Sequence, residues 1–147
     1  MNSQSSSPSA TFVRRVHFSC GHRYENPAWS ESKNRETFGA CYSPHGHGHN
    51  YVLEAHFTGP INSASGMVIN LVDADRLLAQ ISLELDHRFL NQDVEYFKNH
   101  IPTTENIALY VYQRLKSLVA DPALIQRVRL FECDDIWAEV GASGGLL

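Results

Sequence analysis

The chain has 147 residues, 43% of them hydrophobic, enough for one globular domain that buries about two thirds of the surface its unfolded form exposes. A formal net charge of -4, from 12 Lys and Arg against 16 Asp and Glu, argues against a dedicated nucleic-acid or anionic-membrane surface while leaving room for a local basic pocket. Cys20, Cys41 and Cys133 are odd in number and form no CxxC pair, so a disulfide framework is not expected and a reducing compartment is; without a leader or an apolar span, the reading is a cytoplasmic protein.

Residues 1–10 are Ser-rich with few apolar groups and are expected to be a disordered tail, 11–141 a single domain, and 142–147 a flexible end. TFVRRVHFSCGH alternates as a strand whose inner face carries Phe12, Val16, Phe18, Cys20 and His22, with Arg14 interrupting the pattern. The polar stretch from Tyr24 to Cys41, broken by Pro27 and Gly39, reads as a long functional loop. In HGHNYVLEAHFTG a second strand puts His47, His49, Tyr51, Leu53, Ala55 and Phe57 on one face and Asn50, Val52, Glu54, His56 and Thr58 on the other. MVINL (67–71) is expected to be a third strand in a hairpin. DADRLLAQISLEL has helical spacing, with Asp73 as the expected N-cap, and ends near LDHRFLN. A second amphipathic helix starts at Pro102, Thr103 or Thr104, and RVRLFECDDIWAEV gives two short strands around Asp134 and Asp135. The order β, β, β, α, α, β, β segregates strands from helices, which favours an α+β fold.

Residues two apart on a strand point the same way, so His47 and His49 can present two imidazoles to one ion, and Gly46 and Gly48 let another backbone come close. His22, at the end of a neighbouring inner face, supplies a third, and three neutral imidazoles suit Zn²⁺ with its fourth position open for catalysis. An H-x-H pair alone would equally fit a polar glycine-rich loop or an adventitious metal tract. A cupin-like reading, with Glu54 downstream, lacks the later P-x-G-x-x-H segment. His45 falls just after Pro44 and is expected outside the ligand set; His17, His56 and His100 are expected at the surface.

Cys41 follows a loop and precedes the metal strand, where a thiolate could act as base, while Cys20 and Cys133 read as small hydrophobes. Asp86 beside His87 can orient an imidazole for proton transfer, although charge compensation at a helix end would leave the same pair. Glu132 shares a strand face with Val128 and Leu130, so its carboxylate points into the core and needs a partner; a ligand with two parallel N–H donors fits, and a bulge turning it outward is the alternative.

Taken in order, FSCGH (18–22), FGAC (38–41), GHGHN (46–50), GMVIN (66–70), LDH (85–87), TTEN (103–106) and Glu132 resemble the 6-pyruvoyl-tetrahydropterin synthase family over nearly all of residues 12 to 141. The resemblance implies the tunnelling fold, an antiparallel four-stranded sheet with two helices on one face, assembled edge to edge into an oligomeric barrel, typically a homohexamer. It implies Zn²⁺ on His22, His47 and His49, Cys41 as general base, Asp86 and His87 as a proton-transfer dyad, Glu132 as pterin anchor, and Thr103, Thr104 and Glu105 near a pterin pocket at a subunit interface. The implied reaction is elimination of triphosphate from 7,8-dihydroneopterin triphosphate to give 6-pyruvoyl-tetrahydropterin, without a redox cofactor and without nucleic-acid or membrane partners. The alternative within the family is the 6-carboxytetrahydropterin synthase of the queuosine pathway. The spacer YSPHG between Cys41 and His47 and the long preceding loop look more like the pyruvoyl-forming branch. A non-catalytic zinc-binding module is the remaining reading; it requires four protein ligands.

Overall fold

The computed structural model describes residues 7–142; the expected ends at 1–6 and 143–147 lie outside the described residues. Its elements are β1 (Ser9–His22), α1 (Glu31–Phe38), β2 (His47–Pro60), α2 (Leu71–Leu85), α3 (Leu90–Asp93), α4 (Thr104–Leu118), β3 (Ile125–Cys133) and β4 (Ile136–Gly141). The strands form one antiparallel sheet in the order β1-β2-β3-β4. β1 starts at Ser9, which pairs with Pro60, so pairing reaches into the stretch expected to be tail.

Two expectations from the sequence are corrected. The stretch from Tyr24 to Cys41 contains α1, capped by the Ser30 side chain accepting from the Lys33 N–H, and Cys41 closes the 3-10 turn that follows. The amphipathic signal was weak because α1 buries only Asn34, whose side chain is spent on the backbone of Asn26, Trp29 and Ser30. MVINL is not a strand: Gly66 turns the chain with φ 72° and the segment leads into α2, whose N-cap is Asn70, accepting from the Val72 N–H at 2.9 Å, rather than Asp73. β1 and β2 pair directly with each other along their whole length, which leaves MVINL no hairpin partner.

α2 packs on β1 and α4 on β3 and β4, with the two helices against each other on one face of the sheet. The core between them is Tyr51, Leu53, Ala55 and Phe57 from β2, Leu78, Ile81 and Leu85 from α2, Ile107, Val111 and Leu115 from α4, and Val128 and Leu130 from β3, all buried. Full burial of such a side chain contributes about 1.5–3 kcal/mol each. Between the helices, Arg114 forks onto Glu84 at 2.6 and 3.0 Å, and the Tyr110 hydroxyl donates to the same carboxylate at 2.6 Å. Arg14, the residue that broke the alternation of β1, reaches Asp75 on α2 at 2.6 Å, which suits an inward charge on an edge strand.

Among the described residues no helix packs on the opposite face. Glu54 is nevertheless buried, because Arg15 donates to it and His56 and Arg129 lie beside it; burial pulls its carboxyl up, but these partners hold it below the usual range. Arg127 and Arg129 bracket Glu139 of β4 at 3.0 and 2.7 Å. His56 is thus partly enclosed rather than free at the surface.

Candidate metal centre and active site

The register of β1 against β2 places His22 directly opposite His47, and Cys20 opposite His49, at the end of the sheet where α4 begins. Direct opposition plus the two-residue period brings three imidazoles to one point from the inner face. One ring nitrogen of each lies within 4.8 Å of the others, so the triad can hold a metal ion. Ring centroids are 4.7, 5.1 and 4.9 Å apart, all edge-on, which leaves the nitrogens rather than the ring faces converging.

The glycines of HGHGH have a steric reason. A Cβ at Gly46, where φ is 70°, would sit 2.6 Å from the Phe89 ring and 2.8 Å from the His22 carbonyl, and one at Gly48 would sit 2.8 Å from the Cys20 carbonyl. Any side chain there would push the strands apart and separate the imidazoles.

The triad fits a cation on three counts. His22 Nδ1–H donates to the Pro102 carbonyl at 2.8 Å, with the Tyr51 hydroxyl 3.2 Å away, so its Nε2 lone pair is the one left to bind; the tautomer follows from these partners. His22 Nε2 and His47 Nε2 stand 3.2 Å apart, close to the roughly 3.3–3.4 Å of two nitrogens on one tetrahedral zinc. His49 Nε2 is buried without a hydrogen-bond partner; Glu132 Oε1 is 3.3 Å away, outside hydrogen-bond geometry. Burial pushes His22 down to about 4 and lowers His49 as well, against the raising effect of Glu132, so both rings are kept neutral as metal ligands must be.

Glu132 points inward as its strand parity requires, and is 9% exposed. Thr104 Oγ1 donates to its Oε2 at 2.5 Å, fixing the carboxylate beside His49. Thr103 is the N-cap of α4, accepting from the Asn106 N–H at 3.2 Å, and so sets where Thr104 falls. Glu105 is exposed in the first turn of α4, where its charge suits the helix N-terminus, and makes no described contact with the other site residues.

Cys41 is half-buried, and its carbonyl accepts from the Tyr24 N–H at 2.9 Å. Burial, then the Glu132 carboxylate, pushes its thiol up from the usual value. Tyr24 stands edge-on to His22 at 5.0 Å and to Phe38 at 5.9 Å, and burial pushes its hydroxyl up to about 12. The sequence reading gave no site role to Tyr24, Tyr51 or Pro102. Tyr51 was visible as the next inward residue after His49, whereas the Pro102 carbonyl is a backbone group eighty positions from its histidine and left no pattern.

Asp86 and His87 do pair, Nδ1 to Oδ2 at 2.8 Å, but the imidazole is 85% exposed and no described contact joins it to Cys41. The pair lies along the outer edge of β1: Asp86 accepts from the Ser19 N–H at 2.8 Å, the His87 N–H donates to the Ser19 carbonyl at 2.6 Å and the Gly21 N–H to the Arg88 carbonyl at 2.8 Å. His87 has φ 59°, a conformation uncommon outside glycine and often found at functional sites. His45 is exposed and outside the triad, as expected, and Cys20 is buried. Cys133 is exposed, not buried, because it sits at the β3–β4 turn and donates to Asp135 at 3.1 Å.

Residues 11–143 match the family model described as 6-pyruvoyl tetrahydropterin synthase. A 6-pyruvoyl tetrahydrobiopterin synthase of Drosophila melanogaster is 40% identical over 129 residues, 87% of this chain and 77% of that protein. The protein of that name from Homo sapiens is 37% identical over 127 residues, 86% of this chain and 87% of the other. The solved structure of Caenorhabditis elegans 6-pyruvoyl tetrahydropterin synthase superposes with a TM-score of 0.91 at 35% identity, covering 93% of this chain and 98% of that one.

Proposed function

The chain belongs to the 6-pyruvoyl tetrahydropterin synthase family, and from that premise we propose that it is a zinc-dependent lyase converting 7,8-dihydroneopterin triphosphate to 6-pyruvoyl-tetrahydropterin with elimination of triphosphate. The observation that carries the reading is the conjunction, at one end of the sheet, of a three-histidine cluster and a buried inward carboxylate, Glu132, held by Thr104. Zn²⁺ on His22, His47 and His49 would supply Lewis acidity toward the substrate's side-chain hydroxyl oxygens and a positive charge that opposes the upward push on the Cys41 thiol.

The residues divide the remaining work. Glu132 presents both oxygens to the ring, each accepting one of the two parallel N–H donors of a pterin, while Thr104 donates to a further lone pair of Oε2 and holds the carboxylate in one orientation. Orientation of this kind fixes which carbon faces the base. Cys41 removes the side-chain proton as thiolate, and His87, oriented by Asp86, serves as the partner that returns one. In one chain that imidazole stands exposed beside the edge strand β1, so we assign it to the site of a neighbouring subunit.

Assembly through the sheet edges supports this. β1 and β4 are the edges, and β4 exposes Ile136 and Trp137 by about half. Edge-to-edge pairing into a barrel would cover them, with a homohexamer as the expected state. Among the described residues no helix is long and apolar enough to cross a membrane; our assignment of the enzyme to the cytoplasm rests instead on its three free cysteines, which suit a reducing compartment.

Replacement of Glu132 by Ala tests the anchor. Dihydroneopterin, which keeps the ring and lacks the phosphates, is expected to bind at least about tenfold more weakly to the variant, the worth of a hydrogen bond to a charged group, with zinc content unchanged. Unchanged affinity would remove Glu132 from ring recognition.

A further inference from the structure

A cavity of about 440 Å³, in the size range of small-molecule sites, has Arg23, Glu25, His45, Phe89, Asn91 and Gln92 in its wall, and the Phe89 ring is the one packed against Gly46 between His45 and His47. Arg23 directly follows His22, and His45 stands two residues before His47. Asn91 clips Arg23 in place: its Oδ1 accepts from the Arg23 N–H and its Nδ2 donates to the Arg23 carbonyl, both at 2.8 Å. The guanidinium lies over the Tyr42 ring at 4.4 Å, and its one side-chain hydrogen bond among the described residues runs from Nη1 to Glu25 at 2.6 Å. Its Nε–H is buried without a partner. A fixed guanidinium with donors to spare, an exposed imidazole and the Gln92 amide face one cavity, in whose lining Glu25 is the single carboxylate.

We propose that this cavity is the subsite for the phosphate chain of the substrate, with Arg23 and His45 as donors to phosphate oxygens. The assignment rests on the dihydroneopterin triphosphate reading and deepens it. Arg23 offers the planar fork that matches phosphate oxygens, and His45 can donate through a ring N–H. Two other basic residues near the site are engaged elsewhere: Lys33 lies over Trp29 at 4.3 Å and Arg35 pairs with Glu31 at 2.6 Å along α1, while Arg88 lines a second, more open surface with His49 and His87. Glu25 orients Arg23 yet opposes an anion, so the subsite carries an internal counter-charge.

The test compares two ligands on zinc-loaded protein bearing Cys41→Ala, so that no turnover intervenes. The dissociation constants of dihydroneopterin triphosphate and of dihydroneopterin are measured, and their ratio reads the phosphate chain alone. His45→Asn, at an exposed position, is expected to reduce the preference for the triphosphate by about tenfold with dihydroneopterin affinity unchanged, Arg23→Lys to reduce it further, and Glu25→Gln to increase it. A preference unmoved by all three substitutions, with both ligands still bound, overturns the subsite and leaves the functional reading standing. Failure of the unsubstituted sequence in that background to bind either ligand overturns the functional reading and the subsite with it.

Discussion

Replacing Cys41 with Ala is expected to lower turnover by about 10²–10⁴-fold, the usual worth of a positioned general base, while the protein keeps its zinc. The separation of the two effects follows from the geometry. Cys41 arrives on the 3-10 turn after α1 and contributes no atom to the histidine cluster, which is assembled entirely from β1 and β2. Its removal therefore deletes a proton acceptor without disturbing the cation. Metal analysis of the purified variant beside its steady-state rate checks both halves; retained turnover would take Cys41 out of the base role.

His47→Ala should act in the opposite way, removing the metal and the activity together. Loss of one of three ligands is expected to weaken zinc by more than the roughly 10–100-fold seen when only an outer hydrogen-bond partner of a ligand is lost. His47 is the better choice than His22, which is fully buried and bonded to Pro102 and Tyr51, so that its replacement would also open the core. A chelator titration followed by metal analysis reads the affinity, and circular dichroism shows that the fold persists. Zinc affinity equal to the unsubstituted protein would exclude His47 as a ligand.

What the sequence made legible was whatever repeats with the strand period. His47 and His49 two apart, His22 at the end of an alternating run, and Glu132 in step with Val128 and Leu130 all came from parity, and all four meet in the structure. Parity also showed the inner face of β2 through to Phe57. It failed where side chains serve the backbone instead of a face: α1 buries a single asparagine, and MVINL is a run of strand-forming residues that the Gly66 turn and the Asn70 cap commit to a helix entry. For Cys41 and the Asp86–His87 pair the residues alone left a catalytic and a bland reading open and the family resemblance chose between them, while Thr104 was placed near the site by the resemblance alone. The Pro102 carbonyl and the Arg23 cavity had no sequence signature, being made of backbone groups and loop side chains whose positions only the fold sets.

The most direct test of the account is the mass of the pterin formed when the zinc-loaded protein is given 7,8-dihydroneopterin triphosphate under reducing, anaerobic conditions. A 6-pyruvoyl-tetrahydropterin product with released triphosphate is the predicted result. A 6-carboxy product with acetaldehyde, or no conversion at all by fully metallated protein, would contradict it.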